Sequence, residues 1–146
     1  MKVLVAYDGT PAAYCALKFS GKIANSVDDL LLLYVIPPVV GAPVTFDSFI
    51  PSSVYQSQSE IANGIVSLAN KTMQEMGIKG TVLTVDAAGE LVPRVILKVA
   101  KEKSVDLIIT GTRRLKGLSK VILGSVSSEL VSISDIPVTV VPREED

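Results

Sequence analysis

Between Asp29 and Pro38 the chain reads DLLLLYVIPP, and its centre, LLLLYVI, is apolar at every position. A strand with one solvated face alternates apolar and polar side chains, because successive residues point to opposite sides of a sheet. An unbroken apolar run closed by Pro37 and Pro38 predicts instead a strand covered on both faces, which requires helices above and below the sheet. The run Leu30 to Ile36 is also the longest apolar stretch, at seven residues. A membrane-spanning helix needs about twenty.

The remaining pattern agrees with a layered fold. KVLVAY, Lys2 to Tyr7, predicts a first strand, and DGTP after it places Thr10 as a helix cap with Pro11 at the first helical position. A helix over about Pro11–Ser26 follows, with Ala13, Ala16, Leu17, Ile23 and Ala24 turned inward. A long amphipathic helix is expected from about Val54 to Met76, where Ile61, Ile65, Leu68 and Met76 keep helical spacing before Gly77. GTVLTVDAAG is the third strand with its turn. The stripe Leu91, Val92, Val95, Ile96, Val99 and Ala100 predicts a helix with Arg94, Lys98 and Lys101 facing away. VDLIITG is the fourth strand, Gly124 to Val131 opens a helix, and IPVTVVP, Ile136 to Pro142, is the last strand. Residues 37–53 contain Pro43 and Pro51 without periodicity and read as a long loop, a candidate lid or partner surface.

Such alternation predicts an α/β fold: a doubly wound, five-stranded parallel sheet with helices on both faces, Rossmann-like, built by right-handed crossovers. Its length of 146 residues fits one domain, 1–146, able to bury roughly two thirds of its unfolded surface. Ligands of such sheets bind beyond the carboxyl ends of the strands where the winding reverses. Asp8 and Gly111 stand at two such ends.

Composition narrows the chemistry. The chain has no histidine, which removes Ser-His-Asp triads, Cys-His pairs and the common zinc sites. The single Cys15 has no internal disulfide partner and fits a reducing compartment. The opening MKVLVAYDGT meets Asp8 before a signal-peptide core forms, so a cytoplasmic protein is expected. With 14 Lys and Arg against 15 Asp and Glu, the net charge of −1 recommends neither nucleic acid nor an anionic membrane as partner. Local charge differs: Arg113, Arg114, Lys116 and Lys120 fall in the stretch GTRRLKGLSKVILGS, Gly111 to Ser125, with no acid among them.

That stretch is neither a Walker A loop nor a G-x-G-x-x-G, so a phosphate-binding reading rests on local physics. Gly111 ends a buried strand and admits close approach to the main chain, or is a plain turn glycine. Gly124, Ser125, Val126 and Ser127 open a helix whose first amides and positive dipole end attract an anion, with the two serine hydroxyls as further donors. Ser125 acting as an ordinary N-cap is the competing reading.

The segments VLVAYDGTPAAYCAL, LLLLYVI, VDLIITGTR and GLSKVILGSVSSELVSISDIPVTVVP resemble the universal stress protein family over essentially the whole chain. The nucleotide-binding branch of that family carries G-x-x-G, nine residues, then G-[ST]. Gly111 matches the first glycine and Gly124-Ser125 the last pair, whereas Arg114 replaces the second glycine. Two outcomes are open. Either the arginine swings outward, and it or Arg113 holds a β- or γ-phosphate by charge-assisted bonds, or its bulk fills the pocket.

The resemblance implies an adenine nucleotide, ATP or AMP/ADP, with Mg²⁺ arriving alongside it and no metal site of the protein's own. The main chain around Ala6, Tyr7 and Val35 would hold adenine, and Asp8 would meet the ribose or a metal-bridged phosphate. Thr110, Gly111 and the turn Gly124 to Ser127 would hold ribose and phosphates. The alternative for Asp8 is that it fixes the turn before the first helix. The resemblance further implies a homodimer paired through Ile136–Pro142, with regulatory rather than catalytic output. A dimeric interaction module that binds no nucleotide is the second reading.

Overall fold

The computed structural model describes residues 1–38, 52–112 and 123–144, with the backbone alone given for 52–56. Most of the proline-containing loop and the basic residues Arg113, Arg114, Lys116 and Lys120 lie outside the described residues.

Five strands alternate with helices: β1 (Lys2–Ala6), α1 (Pro11–Lys22), β2 (Asp29–Ile36), α2 (Ser52–Met76), β3 (Thr81–Asp86), α3 (Val92–Glu102), β4 (Leu107–Thr112), α4 (Ser125–Ile133) and β5 (Val138–Pro142). They form one sheet in the order β3-β2-β1-β4-β5, every pair parallel. The chain winds outward from β1 to β3, then returns across the sheet through α3 to pair β4 with β1, where Val5 is in register with both Leu32 and Ile109. The winding therefore reverses between β1 and β4.

The apolar run of β2 is divided between two cores. Leu31, Leu33 and Val35 point to the face covered by α3 and α4, where Val95, Ile96, Val99 and Leu130 are buried. Leu30 and Leu32 point the other way, against Ala13, Ala16 and Leu17 of α1 and Ala69 and Met73 of α2. Each fully buried leucine contributes about 1.5–3 kcal/mol through removal of apolar surface from water. The doubly wound architecture expected from the sequence is the one observed.

Local departures have identifiable causes. The helix begun at Pro11 ends at Lys22, and a 3₁₀ turn over Ala24–Ser26 leaves Ala24 exposed. The last strand starts at Val138 rather than Ile136. Leu91 is 60% exposed because it occupies the cap position of α3, ahead of the helical stripe. In α2, Ile61 and Leu68 face out, and the buried side is built from Ala62, Ala69, Thr72 and Met73. Among the described residues no helix is long and apolar enough to cross a membrane.

Candidate functional site

A cleft of about 280 Å³ opens beyond the carboxyl ends of β1 and β4, at the point where the winding reverses, with the first turn of α4 as one wall. Of the residues singled out in the sequence, Ala6, Tyr7, Asp8, Val35, Thr110, Gly111, Gly124, Ser125, Val126 and Ser127 all line it. Arg113 and Arg114 lie outside the described residues.

The turn after β1 is organised by Asp8. Its Oδ1 accepts from the Thr10 amide at 3.1 Å and from the Thr10 hydroxyl at 2.6 Å. Thr10 in turn caps α1, its Oγ1 accepting from the Ala13 amide at 3.3 Å. The turn-fixing role thus occupies one carboxylate oxygen, and among the described residues Oδ2 has no hydrogen-bond partner. The two readings of Asp8 are compatible, since each uses a different oxygen.

At the opposite wall, Gly124 is the N-cap of α4 and supplies no side-chain bond. The first backbone bond of the helix runs from the Ser128 amide to the Gly124 carbonyl at 2.9 Å, so the amides of Ser125, Val126 and Ser127 lie ahead of the intrahelical ladder. Ser125 is the first helical residue and not the cap. The Ser127 hydroxyl donates to the Gly124 carbonyl at 3.2 Å, so as placed it tightens the turn instead of facing the cleft as a donor. Leu130, fully buried, anchors α4 to the core. Ion pairs Arg94–Glu129 at 3.8 Å and Lys101–Asp135 at 3.4 Å tie α4 and the turn after it to α3 on the surface.

The two glycines differ in purpose. A Cβ at Gly111 would lie 2.2 Å from the carbonyl oxygen of Ala12, so its missing side chain admits the backbone of α1, and its φ lies outside the left-handed region. Helix packing by itself therefore requires a glycine at this position, which also lines the cleft. At Gly124 the nearest atom to an added Cβ is Ser127 Oγ at 3.9 Å, leaving that side open.

Asp8 is the one charged side chain among the described lining residues. Burial, with a contribution from the Asp8 carboxylate, pushes the Tyr34 phenol above its ordinary ionisation range. Tyr7 is raised by burial and by Asp8, against the lowering effect of its hydrogen bond with Thr72. The Tyr7 amide already donates to the Leu33 carbonyl at 2.9 Å, so this amide is taken by the sheet. Val35, Val92 and Ile96 add apolar wall. The cleft thus combines a surface for a flat apolar group, an acceptor at Asp8 and a row of amides suited to an anion.

Sequence reasoning passed over Tyr34, Val92 and Ile96 as lining residues. Tyr34 is the single residue with a hydroxyl inside LLLLYVI and sits near the carboxyl end of its strand, which was the available signal.

Comparison with known proteins agrees with this architecture. The universal stress protein YxiE of Bacillus subtilis is 30% identical over 96% of this chain and 97% of its own. A universal stress protein family protein from Arabidopsis thaliana, solved with AMP bound, superposes with a TM-score of 0.69 at 21% identity, covering 100% of this chain and 94% of its own. A universal stress protein solved in complex with cAMP gives 0.64 at 19% identity, over 99% and 98%. The sequence model described as the universal stress protein family matches residues 1–142, and the chain belongs to that family.

Proposed function

We propose that this protein binds an adenine nucleotide, AMP, ADP or ATP, in the cleft between β1, β4 and α4, and serves as a regulatory homodimer in the cytoplasm. The observation that carries the reading is the uncapped first turn of α4: three amides ahead of the helical ladder, facing a cleft whose other wall is apolar and ends at Asp8. Free amides and the helix dipole favour a phosphate, and Val35, Val92 and Ile96 suit a base. AMP and cAMP in two structurally similar relatives support the same ligand class. In this reading Asp8 Oδ2 accepts from ribose, and Mg²⁺ would accompany a di- or triphosphate, since the described residues hold no cluster of three acidic or thiol ligands.

The output we propose is regulatory: Asp8 is the sole carboxylate among the described lining residues, and its Oδ1 is engaged by Thr10. We further propose that residues 1–146 form a single domain and that two copies meet through β5.

The test is direct. Purified protein is denatured and searched by mass spectrometry for released adenine nucleotide, and the stripped protein is titrated with Mg-ATP and with AMP by calorimetry. Saturable heat at one site per chain is expected. Absence of both released nucleotide and heat overturns the reading. Titration of Arg114→Gly in parallel decides whether that side chain holds or crowds a phosphate: tighter binding indicates crowding, weaker binding indicates contact.

A further inference from the structure

Among the described lining residues, one buried side-chain hydroxyl has no partner within the protein. Tyr34 is 7% exposed and lines the cleft, and its hydroxyl has no hydrogen-bond partner among the described residues. Other buried hydroxyls are engaged: Tyr7 with Thr72, Ser20 with the Leu17 carbonyl, Thr110 with the Gly111 carbonyl and Ser127 with the Gly124 carbonyl. Thr112 is engaged as well. A hydroxyl that lines a cleft and has no partner within the protein is left to solvent or to a ligand, so it marks a place where a ligand can supply the bond.

Its surroundings define what that ligand group must be. Asp8 Oδ1 is held by Thr10, leaving Oδ2 as a pure acceptor, and the Asp8 charge is felt at the Tyr34 ring. An ionised carboxylate repels phosphate, whose favourable position is the α4 amides on the opposite wall. Between an acceptor and a phenol, a ribose hydroxyl satisfies both, since it donates to the carboxylate and accepts from the phenol.

We propose that Tyr34 is a specificity-determining residue that selects ribonucleotides over deoxyribonucleotides, its hydroxyl donating to a ribose hydroxyl whose own proton goes to Asp8 Oδ2. This rests on the nucleotide reading above and adds to it a residue and a sugar preference. Tyr34 remains protonated across the neutral range, as this donor role requires.

The experiment measures AMP, 2′-deoxy-AMP and 3′-deoxy-AMP by calorimetry on the wild-type protein and on Tyr34→Phe, together with thermal melts of both without ligand. Tyr34→Phe is expected to melt at or above the wild-type temperature, because it removes no hydrogen bond within the protein and leaves the ring. Its AMP affinity is expected to fall about three- to tenfold. One deoxy analogue is expected to bind the wild type more weakly by a similar factor and to lose no further affinity on Tyr34→Phe. Equal wild-type affinity for all three nucleotides, additive losses, or a lower melting temperature for ligand-free Tyr34→Phe each overturn the assignment. A wild-type protein that takes up none of the three overturns the nucleotide reading as well, which separates the two failures.

Discussion

A methyl group at Gly111 would sit 2.2 Å from the Ala12 carbonyl oxygen, whereas one at Gly124 would meet nothing closer than 3.9 Å. Gly111→Ala must therefore push α1 away from β4. We expect a loss of about 1–3 kcal/mol and a melting temperature lower by roughly 3–12 °C. Gly124→Ala should cost under about 1 kcal/mol, and Gly124→Glu should stay folded while losing nucleotide, because its carboxylate stands against the α4 amides. Thermal melts paired with calorimetry check both sites, and an unchanged melt for Gly111→Ala would refute the packing role. The sequence alone assigns both glycines to one phosphate motif, since a residue without a side chain does not disclose which neighbour needs the space. Tyr34 was hidden for a related reason: inside an apolar run it reads as core, and its missing partner is a property of the fold.

Among the elements, α1 starts where Thr10 and Pro11 indicate, and the same threonine also holds Asp8. Thr10→Ala should destabilise by about 1 kcal/mol through loss of the cap and should also weaken nucleotide binding, by freeing Asp8. Urea denaturation and calorimetry measure the two effects. Thr10→Ser should restore both, and a variant that loses stability with binding intact would detach Asp8 from the ligand. Caps and the continuous apolar run made β1, α1 and β2 legible in the sequence. In α2 periodicity was insufficient: Ile61 and Leu68 form one stripe and Ala62 and Ala69 another, both with helical spacing, and the narrow space over β2 and β3 takes the smaller residues. Spacing identifies a helix but does not choose between two apolar stripes.

In the whole molecule, β5 has β4 as its one neighbour in the sheet, and its other edge presents main-chain groups suited to pairing. Val138 packs on one core and Val141 on the other, while half-buried Val140 belongs to neither. We expect the wild-type protein to sediment at twice the mass of one chain, and Val140→Lys to shift it toward monomer with little change in melting, since like charges would meet across a two-fold axis. A wild-type monomer at micromolar concentration would refute the dimer. The parallel order of the sheet was readable because strand and helix alternate, but the proposed pairing across β5 would involve a second copy, which spacing within one chain does not reveal.

Lys2 donates its amide to the Asp106 carboxylate across 104 positions of sequence, and Val3 sits beside Leu107 in the central pair of the sheet. Closing so long a loop is entropically expensive, and chains dominated by such distant pairings fold slowly. During synthesis the amino-terminal half emerges first, yet the groove between β1 and β4 has no second side until the last third of the polypeptide is free. Nucleotide uptake would then mark a finished molecule, and a chain stalled on the ribosome would have nowhere to hold one.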